Sequence, residues 1–134
     1  MELSIAKEKY RSLRDIKTKL SYEKWVDYID RNSDYYEWLE NTERGKERLK
    51  NIEKIPESFR LGILQQLNKR QAFAQFNPKK GWHEIVIDFH IELGLIKITN
   101  MKRLKQQQLG RLVEMADYLG GYLLNNGTEI ISPI

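Results

Sequence analysis

An acid–imidazole–acid series lies along the most regularly alternating stretch of the chain. Asp88, His90 and Glu92 occupy every second position, so a strand would place all three on one face. Carboxylate and imidazole groups are common metal ligands, and a metal held there would suit a metal-dependent hydrolase. The same alternation is typical of the solvated face of a half-buried strand, and no second ligand cluster accompanies it. These residues are therefore weak metal candidates, and we expect neither a metal nor another cofactor.

A second series combines acids with aromatic side chains. From Asp27 to Glu43 six acids stand against the single base Arg31. Tyrosine and tryptophan supply contact area at protein interfaces, and carboxylates steer a basic partner. The predicted partner-binding residues are Asp30, Asp34, Tyr35, Tyr36, Glu37 and Trp38. The other interpretation is that the rings are core and the acids lie on the solvated side of the same elements, and the pattern leaves this open.

The run Ser33–Glu37 resembles, in composition, the way bacterial immunity proteins that block nuclease toxins combine acids with paired tyrosines. The likeness covers five residues of 134 and assigns the chain to no family. It implies a protein that occludes a basic partner by shape and charge.

Two basic stretches lack compensating acids. The predicted anion-binding residues are Lys79, Lys80, Lys102, Arg103 and Lys105. The last three fall in the first turns of a predicted helix, where cations oppose the helix dipole and a bound anion would reverse that effect. Binding of nucleic acid or a phosphate ligand is therefore the alternative function. A solvated helix end is the simpler interpretation, since the net charge is only +4.

Composition excludes several classes of chemistry. The chain has 134 residues and no cysteine, so disulfides, thiolate zinc sites, iron–sulfur clusters and a cysteine nucleophile are excluded. It has two histidines and no nucleophile elbow, phosphate-binding glycine loop or dinucleotide fingerprint, so an enzyme is the less expected class. The charged N-terminus and short apolar runs predict a cytoplasmic protein without a membrane segment.

Helical spacing dominates the first half. Apolar residues at spacings of three and four predict a helix between Ala6 and Leu20. Ser21 is expected to cap a second helix, and Ser33 a third that carries Tyr35, Trp38 and Leu39. Pro56 is expected to open a further short helix, with Glu57 in its first turn.

The second half alternates instead. Strands are predicted over 71–76, 82–92 and 95–99, followed by a helix from about Met101 to Leu119. Asn126-Gly127 predicts a primed hairpin turn between two last strands, because both residues tolerate positive φ.

The expected fold is α+β. We predict one domain over residues 1–134, with a helical segment at 1–68 and a sheet-plus-helix segment at 69–134. That second segment should form an antiparallel sheet in the order β-β-β-α-β-β, with one long helix on it. The expected function is non-enzymatic binding of another protein, as an inhibitor or immunity-type factor, and an exposed sheet edge would allow a homodimer.

Overall fold

The computed structural model describes residues 2–131, and within that range helices and strands are interleaved along the chain. The helices are α1 (Tyr22–Arg31), α2 (Glu43–Lys50), α3 (Glu57–Gln66) and α4 (Gln106–Tyr118). The strands are β1 (Leu3–Ala6), β2 (Glu37–Trp38), β3 (Gln71–Asn77), β4 (Trp82–His90), β5 (Leu95–Asn100), β6 (Tyr122–Asn125) and β7 (Glu129–Ile130). Across residues 2–131 no helix has both the length and the apolar character to cross a membrane.

The strands form one antiparallel sheet in the order β2-β3-β4-β5-β1-β6-β7. The predicted α+β class and the antiparallel sheet are therefore confirmed. The two edge strands, β2 and β7, are two residues long each. Short edge strands limit pairing between copies, and the homodimer through a sheet edge stays a prediction.

The helix predicted between Ala6 and Leu20 is wrong. Residues 3–6 form the strand β1 in the interior of the sheet, with Ser4 paired to Lys97 on one side and Leu124 on the other. All four residues of β1 are buried, because one face meets the core and Tyr10 covers the other by donating a hydrogen bond to Ser4 Oγ at 2.7 Å. The spacing of apolar residues within this segment does not reveal the pairing, since both partner strands lie far along the chain.

The loop after β1 is held by carboxylates. Glu8 accepts hydrogen bonds from the backbone N–H groups of Lys17 and Thr18, and these bonds lower the pKa of its carboxyl. Asp15 accepts from the N–H groups of Arg11 and Ser12 and closes a short 3₁₀ turn. Side-chain carboxylates thus satisfy backbone N–H groups of a compact loop in this segment.

The helix predicted to start at Ser33 is also wrong. Glu37 and Trp38 form the edge strand β2, which pairs with Phe73 and Ala72 and brings the Trp38 ring to the core side of the sheet. Helix α2 begins only after Thr42, whose hydroxyl accepts a hydrogen bond from the N–H of Gly45 at 3.0 Å. A Cβ at position 45 would lie 1.8 Å from the carbonyl oxygen of Leu39, so this close approach requires glycine.

Other local predictions are confirmed. Helix α1 begins after Ser21, whose hydroxyl accepts a hydrogen bond from the N–H of Lys24 at 3.2 Å. Helix α3 follows Pro56 and starts at Glu57. The turn between β6 and β7 has positive φ at Asn126 and Gly127, as the Asn-Gly pair predicts.

The main core lies between one face of the sheet and helices α1 and α4. Trp25 stands at its centre, with ring centroids 5.2 Å from those of both Trp38 and Phe89. The fully buried aliphatic side chains of this core include Leu3, Ile5, Ile29, Ile85, Ile87, Ile96, Leu112 and Met115. The packing of Trp25 against Trp38 holds the edge strand β2, beside which the candidate site lies.

Candidate functional site

A cleft of about 460 Å³ opens beside the edge strand β2, between the α1–β2 loop and the ends of β3 and β4. It is lined by Ile29, Asp30, Ser33, Asp34, Tyr35, Tyr36, Glu37, Trp38, Asn41, Phe73, Ala74, Gln75, Phe76 and His83. All six residues predicted to bind a partner therefore line one cavity, and we call it the acidic cleft.

Two of its rings are structural supports rather than free contact area. Tyr36 is 3% exposed and Trp38 is 5% exposed. The Tyr36 ring meets the Tyr35 ring edge-on at 4.7 Å, and the Trp38 ring meets that of Trp25 at 5.2 Å. The expectation that Tyr36 and Trp38 anchor a partner from the surface needs correction, because their rings are packed into the core and form the floor of the cleft.

Tyr35 is half-buried and is held on two sides. The guanidinium of Arg111 lies 4.2 Å from its ring centroid, which is a close cation–π contact. The side-chain amide of Gln75 donates a hydrogen bond to its hydroxyl at 3.2 Å. Tyr35 is thus the one predicted aromatic anchor with accessible surface, and its orientation is already set.

The three acids of the cleft differ in how far they are neutralised. Asp30 accepts a hydrogen bond from Trp38 Nε1 at 2.9 Å and lies 3.5 Å from the Lys69 ammonium. Glu37 lies 3.4 Å from His83 Nε2. Asp34 is exposed, and its carboxylate has no ion-pair partner within residues 2–131. Asp34 therefore carries an unpaired negative charge, while the charge of Glu37 is offset only when His83 is protonated.

His83 was missed as a site residue in the sequence. Its ring lies between those of Phe73 and Phe76, at centroid distances of 5.1 and 5.0 Å, and its side chain is largely buried. Neighbouring Gln75 has φ +59°, which departs from regular strand geometry. No spacing in the sequence joins His83 to Glu37, since only the pairing of β2, β3 and β4 brings them together.

The buried tyrosines beside the cleft are neutral at physiological pH. Burial raises the pKa of Tyr28 to about 12, with the nearby Glu114 carboxylate acting in the same direction. Burial also raises the pKa of Tyr36. Neither phenol is prepared to act as a base or nucleophile, because both effects disfavour the phenolate.

The weak metal candidates lie elsewhere and form only a pair. Asp88 and His90 share a face of β4, with Oδ2 and Nε2 3.5 Å apart. Strand β4 ends at His90, so Glu92 lies in the following turn and not on the strand face where it was expected. No group of three His, Cys, Asp or Glu side chains suited to a metal occurs in the part of the chain that the structure describes.

The two basic stretches meet at one end of the sheet. Lys79 and Lys80 lie in the β3–β4 turn, and the N–H of Met101 donates to the carbonyl of Glu84 at 2.8 Å, which ties the end of β5 to the start of β4. Lys102 and Arg103 were expected in the first turns of a helix, but α4 begins at Gln106. They precede it, and Lys105 is its N-cap residue.

Comparison with protein-family models, curated proteins and solved structures finds no match for this chain.

Proposed function

We propose that this chain is a non-enzymatic binding protein that captures a basic segment of another protein in the acidic cleft. The observation that carries the proposal is the exposure of Asp34 and Glu37 above a floor of buried rings. Carboxylates at the rim of a cleft accelerate and orient the approach of a cationic partner. The rings give the cleft a shape that does not have to be ordered on binding, which lowers the entropic cost of association.

The overall charge of the chain makes the binding of a cationic ligand a selective test of the acidic cleft. At neutral pH the net charge is +4, so a cationic ligand is repelled by the molecule as a whole. Any affinity for such a ligand must then arise locally. Asp30 contributes less than its two neighbours, since Lys69 already lies 3.5 Å from its carboxylate.

A protein that binds its partner without catalysing a reaction acts by covering part of the partner's surface. A partner whose own active surface is basic would be blocked sterically and electrostatically, as an inhibitor or immunity-type factor would block it. We further propose that the protein acts in the cytoplasm, as its charged N-terminus and short apolar runs predict.

The test uses a fluorescently labelled hexa-arginine peptide and measures its binding by anisotropy at low salt. Wild-type protein should bind, and the double variant Asp34→Asn/Glu37→Gln should bind about tenfold more weakly. The reason is that each carboxylate contributes up to about 1 kcal/mol to an exposed ion pair, and 1.4 kcal/mol corresponds to tenfold.

The matched control is Glu53→Gln/Asp117→Asn, which removes two exposed carboxylates outside the cleft and changes the net charge equally. It should bind as wild type does. Equal losses in both double variants, or no binding by the wild type, would overturn the proposal. Thermal unfolding of each variant checks that the fold is retained.

A further inference from the structure

The end of the sheet that carries both basic stretches has a charge opposite to that of the acidic cleft. Lys79, Lys80, Lys102 and Arg103 are exposed there, around the β3–β4 turn and the segment after β5. Glu84 is the acid among them, and its side chain is only 13% exposed. We call this surface the basic end.

One oxygen of the Glu84 carboxylate is engaged within the protein. It accepts a hydrogen bond from the Asn77 side-chain amide at 2.7 Å and lies 3.6 Å from the Lys102 ammonium. One buried carboxylate therefore offsets part of the charge of a single lysine. The other cations of the basic end remain open to an external anion.

Large apolar side chains stand among these cations. Phe76 is 57% exposed, Trp82 43% and Met101 52%. The Lys80 ammonium lies 5.4 Å from the Trp82 ring centroid, so charge and ring surface adjoin each other. All four residues line a second cleft of about 770 Å³. Exposed apolar side chains that line one cleft together, rather than standing singly, often mark a contact surface.

We propose that the basic end binds single-stranded nucleic acid. Proteins that hold single strands with little sequence preference combine a cationic track for phosphates with aromatic side chains on which bases stack. Lys79, Lys80, Lys102 and Arg103 supply the track, and the Trp82 and Phe76 rings supply the stacking surface. An acidic polypeptide would use the same cations but has no need of the rings.

The second cleft also restricts the path of the strand. Its lining also includes three carboxylates that repel phosphates, those of Glu37 and of Glu43 and Glu47 on α2, together with the cation Arg44. The strand therefore follows the wall formed by Lys80, Trp82 and Met101, away from α2. This inference does not rest on the proposed function, because it uses the cations and the Trp82 ring of the basic end, although Phe76 and Glu37 line both clefts.

The first experiment titrates the protein with oligothymidylate of 20 nucleotides and follows tryptophan fluorescence. Trp82 is the only exposed tryptophan among the three, since Trp25 and Trp38 are buried. Stacking on Trp82 should quench its emission. With three or four phosphates contacted, affinity should fall about 20-fold or more between 50 and 200 mM salt.

The second experiment measures labelled oligothymidylate by anisotropy against variants of the basic end. Trp82→Ala should weaken binding about tenfold or more, and Trp82→Phe should restore most of it, because a ring suffices for stacking. Lys79→Ala/Lys80→Ala should weaken binding and reduce the salt slope. Lys46→Ala/Lys54→Ala, which removes the same charge from exposed positions elsewhere, should do neither.

Poly-glutamate separates the two classes of anionic macromolecule. Binding of poly-glutamate as tight as that of oligothymidylate, together with indifference to Trp82→Ala, would overturn the inference in favour of an acidic-protein surface. Equal effects of the two lysine pairs would overturn it in favour of attraction by net charge alone. Either result leaves the test of Asp34 and Glu37 with hexa-arginine unaffected.

Discussion

The acidic cleft and the basic end both combine aromatic rings with charged side chains, but they differ in which of these groups is buried. In the acidic cleft the rings of Tyr36 and Trp38 are buried and the carboxylates are exposed. At the basic end the Glu84 carboxylate is largely covered, while Trp82 and its neighbouring cations are exposed. Composition alone does not tell such regions apart, because burial decides which group a ligand can touch.

The largest difference between the two regions should appear when one tryptophan in each is replaced by alanine. Trp38→Ala should lower the free energy of unfolding by about 3–5 kcal/mol, since it empties a core site and removes the hydrogen bond to Asp30. Trp82→Ala should cost far less, about 1 kcal/mol or below, because much of that ring is already solvated. Urea unfolding of the two variants measures both values. Similar costs would mean that the two rings do not differ in burial as described.

Two substitutions of Tyr36 separate the contribution of its buried ring to stability from that of its hydroxyl group. Tyr36→Ala should destabilise the fold by about 3–5 kcal/mol through lost packing. Tyr36→Phe should be neutral or slightly stabilising, because the buried hydroxyl has no hydrogen-bond partner within residues 2–131. Urea unfolding again provides the readout. A marked loss of stability in Tyr36→Phe would reveal a hydrogen bond to this hydroxyl and contradict the prediction.

Alkaline pH probes the same buried rings. Burial raises the pKa of Tyr28 to about 12, above the ordinary value of 10.0 at which it ionises in the unfolded chain. The unfolded chain therefore loses a proton that the folded protein keeps, and stability should fall as pH rises from about 10 to 12. Burial shifts the pKa of Tyr36 in the same direction.

The matched variant for the alkaline prediction is Tyr28→Phe/Tyr36→Phe. It should lose less stability than the wild type between pH 9 and 11, as followed by urea unfolding at each pH. Parallel curves for the two proteins would show that these phenols do not contribute to the alkaline loss.

The smallest expected effect concerns the charge of the acidic cleft, where Lys69 lies beside Asp30. Lys69→Gln removes the ammonium that lies 3.5 Å from Asp30 and 5.8 Å from the Trp38 ring centroid. The carboxylate is then freed, so hexa-arginine should bind about two- to fourfold more tightly, consistent with an exposed ion pair. Weaker binding by Lys69→Gln would show that Lys69 orders the cleft rather than competing with its ligand.

Parts of the fold with a local cause were predictable. Helix α1 follows from its capping serine and apolar face, and the β6–β7 turn follows from Asn126-Gly127. Helix α3 was also predicted, but its apolar side chains Phe59, Leu61 and Leu64 are exposed. Periodicity therefore identified the helix but did not show which of its side chains are buried. Strand β2 is two residues long and too short to carry any periodicity.

Sequence patterns alone predicted the α+β class, helix α1, the alternating strands and a set of six residues that all belong to the lining of the acidic cleft. Only the tertiary structure decided that β1 lies inside the sheet, that Tyr36 and Trp38 are buried, and that Lys80 and Lys102 share one end of the molecule. The reason is that caps, turns and periodicity act between near neighbours in the chain. Strand pairing and ring burial join residues that are far apart, and the free energy of those contacts exists only once the sheet has formed.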